Sequence, residues 1–307
     1  YAMSRDLGGI DSLAFTSAKQ PLTWSCHPEH IDIAKVELAK PLPSGGRVVL
    51  ETPFRVDIPS GSISRLGHVG ESYQITQWFP KPAVYDHEGW HPMPYLSQGE
   101  FFSEYGSYDV KITLPANYTV GATGDLVPGS EDNDAEKSRL DSLAADTKMW
   151  VKNQGWKDAE NTFPESSQRT KTLHYRQDNV HDFAWFADKR YKVLRGTVVL
   201  PRDKRKVRTW AMFTPEEGEL WQKAPEYLHD ATYYYSLWNG NYPYNQVTAV
   251  DGTISAGGGM EYPNVTVIGT TGSDVGLETV IVHEVGHNWF YGILGSNERE
   301  NAWMDEG

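Results

Sequence analysis

The pentapeptide His283-Glu284-Val285-Gly286-His287 constrains this chain more than any other feature. Residues four apart on an α-helix project from one face, so both imidazoles reach one ion only if this segment is helical. Residues 279–282, Thr-Val-Ile-Val, are apolar enough to bury the turn that leads into it. Neutral imidazole nitrogens bind zinc, and the glutamate beside the first of them is placed to take a proton from water.

A catalytic zinc takes three protein ligands and keeps a fourth position open. The elongated metzincin pattern requires glycine at position 290 and histidine at 293, and Phe290 and Ile293 exclude it. A glutamate ligand has to come from a second helix, far enough along for the chain to turn back. Glu298 and Glu300 fall in the expected connecting loop and read as solvated carboxylates. Glu306 follows His287 after 18 intervening residues, which leaves room for the end of one helix, a loop and the start of another.

A second constellation lies upstream, Gly257-Gly258-Gly259-Met260-Glu261-Tyr262-Pro263. Three glycines permit close backbone approach or unusual dihedrals. With Val265, Val267 and Ile268 following, the segment reads as an edge strand beside a cleft, where a peptide can add by β-pairing. Glu261 is then positioned to pair with a cationic group of the substrate.

The rest of the chain divides into a β-rich front and a mixed α and β back, with a boundary near residue 190. Tyr108, Val110, Ile112 and Leu114 alternate with polar residues, as do Phe54, Val56 and Ile58. Pro- and Gly-containing breaks at 41–46 and 59–61 separate such runs, which suggests an antiparallel sandwich-like domain over residues 1–190. Residues 127–168 interrupt it with a crowd of acidic side chains, read as a solvated insertion containing at most a short helix around 135–145. Strand-like sequence resumes at 191–200 and 207–213. Thr214-Pro215-Glu216-Glu217 then carries the marks of a helix start, with Thr214 as N-cap. Pro225 should interrupt that helix, and Asn239-Gly240 should end it.

At 307 residues the chain is long for one core, in keeping with two domains. A net charge of -13 argues against nucleic acid as a partner. One cysteine excludes an internal disulfide, and no apolar run is long enough to span a bilayer.

H-E-x-x-H with a glutamate 18 residues on, preceded by G-x-M-E, resembles the aminopeptidase N family of gluzincin zinc metallopeptidases. Asn241-Tyr242-Pro243-Tyr244 before a strand, Thr76-Gln77 and the 105–124 stretch follow the family's order, so the likeness spans most of the chain. The resemblance implies an α+β chain, with an N-terminal β-domain at 1–190 and the first part of a thermolysin-like peptidase domain at 191–307. It implies one zinc ion held by His283, His287 and Glu306, with Glu284 as general base. Gly258, Gly259, Met260 and Glu261 match the exopeptidase segment, Glu261 anchoring the substrate's α-ammonium, and Gln77 resembles a glutamine that reaches the substrate from the first domain. The implied activity is removal of the first residue from peptides with a free N-terminus. A zinc endopeptidase, an epoxide hydrolase on the same site and a non-catalytic peptide-binding relative are the alternatives. Three departures stand out: Tyr262 replaces the usual Asn, Phe290-Tyr291-Gly292 replaces Phe-Gly-Asn, and the family's transition-state tyrosine falls beyond the third ligand. The sequence begins at Tyr1 and stops at Gly307, straight after that ligand, so missing sequence is expected at both ends. The resemblance and the missing start favour export to a periplasm or the exterior.

Overall fold

The computed structural model describes residues 7–63, 65–96, 99–254 and 257–307. Short antiparallel pairs dominate the first ninety or so residues: β1 (Gly9–Asp11) with β6 (Arg55–Asp57), β2 (Thr16–Ser17) with β3 (Gln20–Pro21), β4 (Trp24–Cys26) with β5 (Ala34–Val36), and β9 (Val84–Asp86) with β10 (Gly89–His91). Two larger antiparallel sheets follow. β7 (Gly67–Val69), β8 (Ser72–Ile75), β12 (Thr119–Ala122) and β15 (Trp185–Asp188) form one, in the order β12-β15-β8-β7. β11 (Gly106–Pro115), β13 (Asp125–Leu126) and β14 (Thr170–Val180) form the other, in the order β11-β14-β13. Ile112, Leu173 and Tyr175 of the second meet Val120, Ala122 and Ala187 of the first in a shared core, the sandwich expected from the period-2 runs.

The back half is built on a five-stranded sheet, β16-β17-β18-β20-β19. β16 (Lys192–Val199) and β17 (Lys206–Phe213) are antiparallel, β18 (Gln246–Asp251) and β20 (Val265–Ile268) run parallel to β17, and β19 (Gly259–Tyr262) closes back antiparallel as the edge. All six residues of β18 are buried, because the sheet is covered on both faces. α3 (Ala224–Asn239) and α4 (Asp274–Gly286) lie on one face, where Leu228, Ala231, Leu277, Ile281 and Val285 join Ala211, Phe213, Val247 and Ala249. On the other face Val193, Met212, Val250 and Val267 pack with Phe186 of β15 and with Leu140 and Ala144.

Those last two belong to α1 (Glu131–Lys152), where the structure departs from the sequence reading. The acidic segment folds as a 22-residue helix, not as a solvated excursion with a short helical piece. Ser130 accepts from Asn133 N as N-cap, and Glu131, Asp132 and Asp134 lie in the first turn, where negative charge opposes the helix dipole. Glu136 is buried and paired with Lys171 at 2.6 Å and Arg139 at 2.8 Å. Pro225 acts as expected: a 3-10 turn (Pro215–Glu217) and the four-residue α2 (Gly218–Trp221) precede a break, and α3 starts with this proline in its first turn. Thr214 does not cap that turn through its side chain; its hydroxyl donates to Asp251 Oδ2 instead. No helix among the described residues is long and apolar enough to cross a membrane.

Candidate active site

α4 begins at a true N-cap, Ser273, which accepts from Gly276 N, with Asp274 in the first turn. Leu277, Ile281 and Val285 recur every four residues and are fully buried against α3 and the sheet, each worth roughly 1.5–3 kcal/mol of burial. That stripe fixes the rotation of the helix. Glu284 then lies buried and His283 about half exposed, while His287, the C-cap, keeps helical dihedrals and is 4% exposed.

Two short helices, α5 (Glu298–Asn301) and α6 (Trp303–Glu306), bring the chain back. His283 Nε2 and His287 Nε2 are 3.1 Å apart, and Glu306 Oε2 is 3.3 Å from the first and 3.8 Å from the second. Tetrahedral zinc with bonds of about 2.0–2.2 Å separates its ligand atoms by roughly 3.4 Å. Two imidazoles and one carboxylate at these separations fit that ion, and the structure brings together the three residues expected to hold it.

β19 supplies the opposing wall. Alternation along the strand turns Met260 and Tyr262 into the core beneath the sheet and leaves Gly259 and Glu261 toward α4. A Cβ on Gly259 would stand 2.5 Å from Glu284 Cγ and Oε1, so this glycine lets the carboxylate lie flat against the strand. Gly257 and Gly258 adopt φ of +77° and +73°, the unusual dihedrals anticipated for this run. Gly258 O accepts from Gly269 N at 2.8 Å. The Met260 side chain is buried in the core, so only its backbone faces the site. Gln77, itself at φ +45°, sits against Tyr262, whose hydroxyl donates to Gln77 Oε1 at 3.3 Å.

The electrostatics are those of too many buried acids around one imidazole. Burial pushes Glu261 well above the usual carboxylate range, and it pushes Glu284 up to about 8, while the nearby His287 pulls each back. Glu261 and Glu284 lie close enough that each influences the other's ionisation. Burial works to lower His287, but Asp305, Glu261 and Glu284 outweigh it and raise the ring to about 10. Among the described residues, Oε1 of Glu261 and Oε2 of Glu284 are buried without a hydrogen-bond partner, an arrangement that suits a cation or a donor.

Two acids escaped the sequence reading. Asp305 is buried with Oδ1 in contact with His287 Nδ1. Glu298 is no solvated loop residue: it is 2% exposed, accepts from Ser296 Oγ at 3.2 Å and lies against Asp305, and burial with that neighbour pushes it up to about 7. The only signal for Asp305 was its place beside a ligand; for Glu298 there was none.

Solved structures share this fold. A variant of the M1 zinc metallopeptidase of Deinococcus radiodurans is 16% identical, with 98% of this chain and 58% of that one aligned at a TM-score of 0.57. A variant of the same enzyme bound to Tyr-Ser-Ala aligns at 0.58, also 16% identical, over 98% and 59%. Legionella pneumophila aminopeptidase A, in complex with aspartic acid, aligns at 0.57 with 14% identity, over 94% and 31%. No protein-family model matches the sequence, and no curated protein matches it. At these identities the likeness establishes the M1 zinc metallopeptidase fold, and the chain spans a little over half the length of the Deinococcus structures.

Proposed function

We propose that the chain carries the active-site part of a zinc-dependent aminopeptidase. The observation that carries this reading is the buried Glu261 carboxylate, on an edge strand, beside a histidine-histidine-glutamate cluster and a buried Glu284. In this reading residues 1–190 form the N-terminal β-domain that contributes Gln77, and residues 191–307 begin the peptidase domain.

His283, His287 and Glu306 hold the ion, which supplies Lewis acidity toward the scissile carbonyl and lowers the pKa of a water toward neutrality. Glu284, held against Gly259, accepts the proton of the attacking water and delivers it to the leaving nitrogen. A peptide pairs with the free edge of β19 through its backbone. Glu261 binds the α-ammonium in a dry wall, fixing the first peptide bond at a set distance from Glu284. Fold-level likeness to metallopeptidases, one of them bound to a tripeptide, supports the same reading.

Matched peptides with free and N-acetylated termini test it. The full-length zinc-loaded protein should cleave the free peptide, and Glu261→Gln should lose most of that preference. Equal cleavage of the acetylated peptide would mean an endopeptidase, and zinc retention without turnover of either would mean a binding relative.

A further inference from the structure

Asp305 and Glu306 are neighbours that face opposite ways. Glu306 is about half exposed and points at the two Nε2 atoms; Asp305 is buried behind His287, at its other nitrogen. An imidazole offers a lone pair from Nε2 only when its hydrogen sits on Nδ1 or when both are stripped. The ring therefore needs an acceptor beside Nδ1. Among the described residues His287 Nδ1 has no hydrogen-bond partner other than this Asp305 contact, and the ring is buried too deeply for solvent to serve. Glu298, on α5, is a neighbour of the same carboxylate.

We propose that Asp305 is a positioning residue that holds the hydrogen of His287 on Nδ1 and thereby aims Nε2 at the ion shared with His283 and Glu306. The proposal rests on the zinc reading above. It makes α6 contribute twice, one carboxylate to the ion and the next one to a histidine that binds it. Partners of this kind fix ring orientation and raise ligand basicity, and losing one typically weakens metal binding about 10–100-fold.

The test is zinc affinity of the full chain, measured by chelator competition, with the imidazole N–H proton resonances of the zinc-loaded protein recorded alongside. Asp305→Ala should weaken zinc binding about 10–100-fold and lose the His287 Nδ1–H resonance. Asp305→Asn keeps an acceptor oxygen, so it should recover affinity to within a few-fold and keep that resonance, shifted upfield by the loss of charge. Wild-type affinity in a folded Asp305→Ala protein overturns the proposal while leaving the zinc reading intact. A second metal equivalent per chain, lost in Asp305→Ala, also overturns it, because Glu261, His287 and Asp305 would then hold their own ion. If the alanine variant fails to fold, Asp305→Asn decides: a His287 Nδ1–H resonance that does not move overturns the proposal. A wild-type chain that binds no zinc removes the zinc reading itself, and this inference with it.

Discussion

At the scale of single residues the site is an arrangement of acids around His287, and each acid has a separable role. Glu284→Gln keeps the shape of the side chain against Gly259 but cannot accept a proton. Turnover should fall about 10²–10⁴-fold, the usual contribution of a general base, with zinc content by elemental analysis unchanged. Activity comparable to wild type would remove Glu284 from that role. On the proposed reading, in which its carboxylate meets the substrate's ammonium, Glu261→Ala is expected to raise KM for amino-acyl substrates while zinc stays bound, since Glu261 is not one of the three expected ligands. That His283, His287 and Glu306 come together and that Glu261 lies on an edge strand was legible in the sequence, because helical spacing and a run of glycines are local properties. Asp305 and Glu298 were not, since their roles depend on how the chain turns between α4 and α6, which no local pattern encodes.

Among the elements, α1 shows where pattern reading fails. Its buried face is Asn133, Glu136, Leu140, Ala144 and Thr147, so only two of five positions are apolar and the 3.6-residue stripe is hidden. Besides the packing of Leu140 and Ala144, the face is joined to β14 by the Glu136–Lys171 ion pair, and charge pairing between distant segments leaves no periodic trace. The same lesson applies at the end of β18. Asp251, the last residue of β18, carries no periodic signal yet accepts from Thr214 N at 3.0 Å and from its hydroxyl. Burial pushes its carboxyl up to about 7 from 3.8, with Glu217 and Glu216 adding to the rise and the Thr214 bonds opposing it. The folded state thus binds the extra proton between these values. Its contribution to stability is complete below about pH 4 and is lost as pH rises through 7, on the order of 4 kcal/mol. Asp251→Asn, which keeps an acceptor for Thr214, should flatten that part of the profile. Denaturant midpoints at several pH values between 4 and 8 measure it, and identical slopes in both proteins would refute the assignment.

For the molecule as a whole, one residue ties the halves together. Asn264 is fully buried at the β19–β20 turn with φ +53°. Its Oδ1 accepts from Gly124 N at 2.8 Å and Gln246 Nε2 at 2.6 Å, its Nδ2 donates to Gln177 at 3.1 Å, and its backbone N–H donates to Asn288 Oδ1 at 3.1 Å. The front sheets, the five-stranded sheet and the segment after α4 meet at this side chain. Asn264→Ala leaves buried partners unpaired and puts alanine in the left-handed region, so it should cost about 2–4 kcal/mol in unfolding free energy. Asn264→Gly, relieved of the backbone strain, should recover only part of that loss. A full recovery would assign the cost to the backbone alone.

That anchorage accentuates the usual mechanics of a hairpin. A hairpin frays from its open end, and this one is further clamped at the turn by Asn264 while its open end runs into Gly257 and Gly258 with left-handed dihedrals. Amide exchange should therefore be slowest at Tyr262 and Val265 and quicken toward Gly259 and Ile268. In the proposed reading the wall is stiff beside Glu261 and yielding two residues away, so a peptide paired with β19 would be gripped at its first residue and tolerated beyond it.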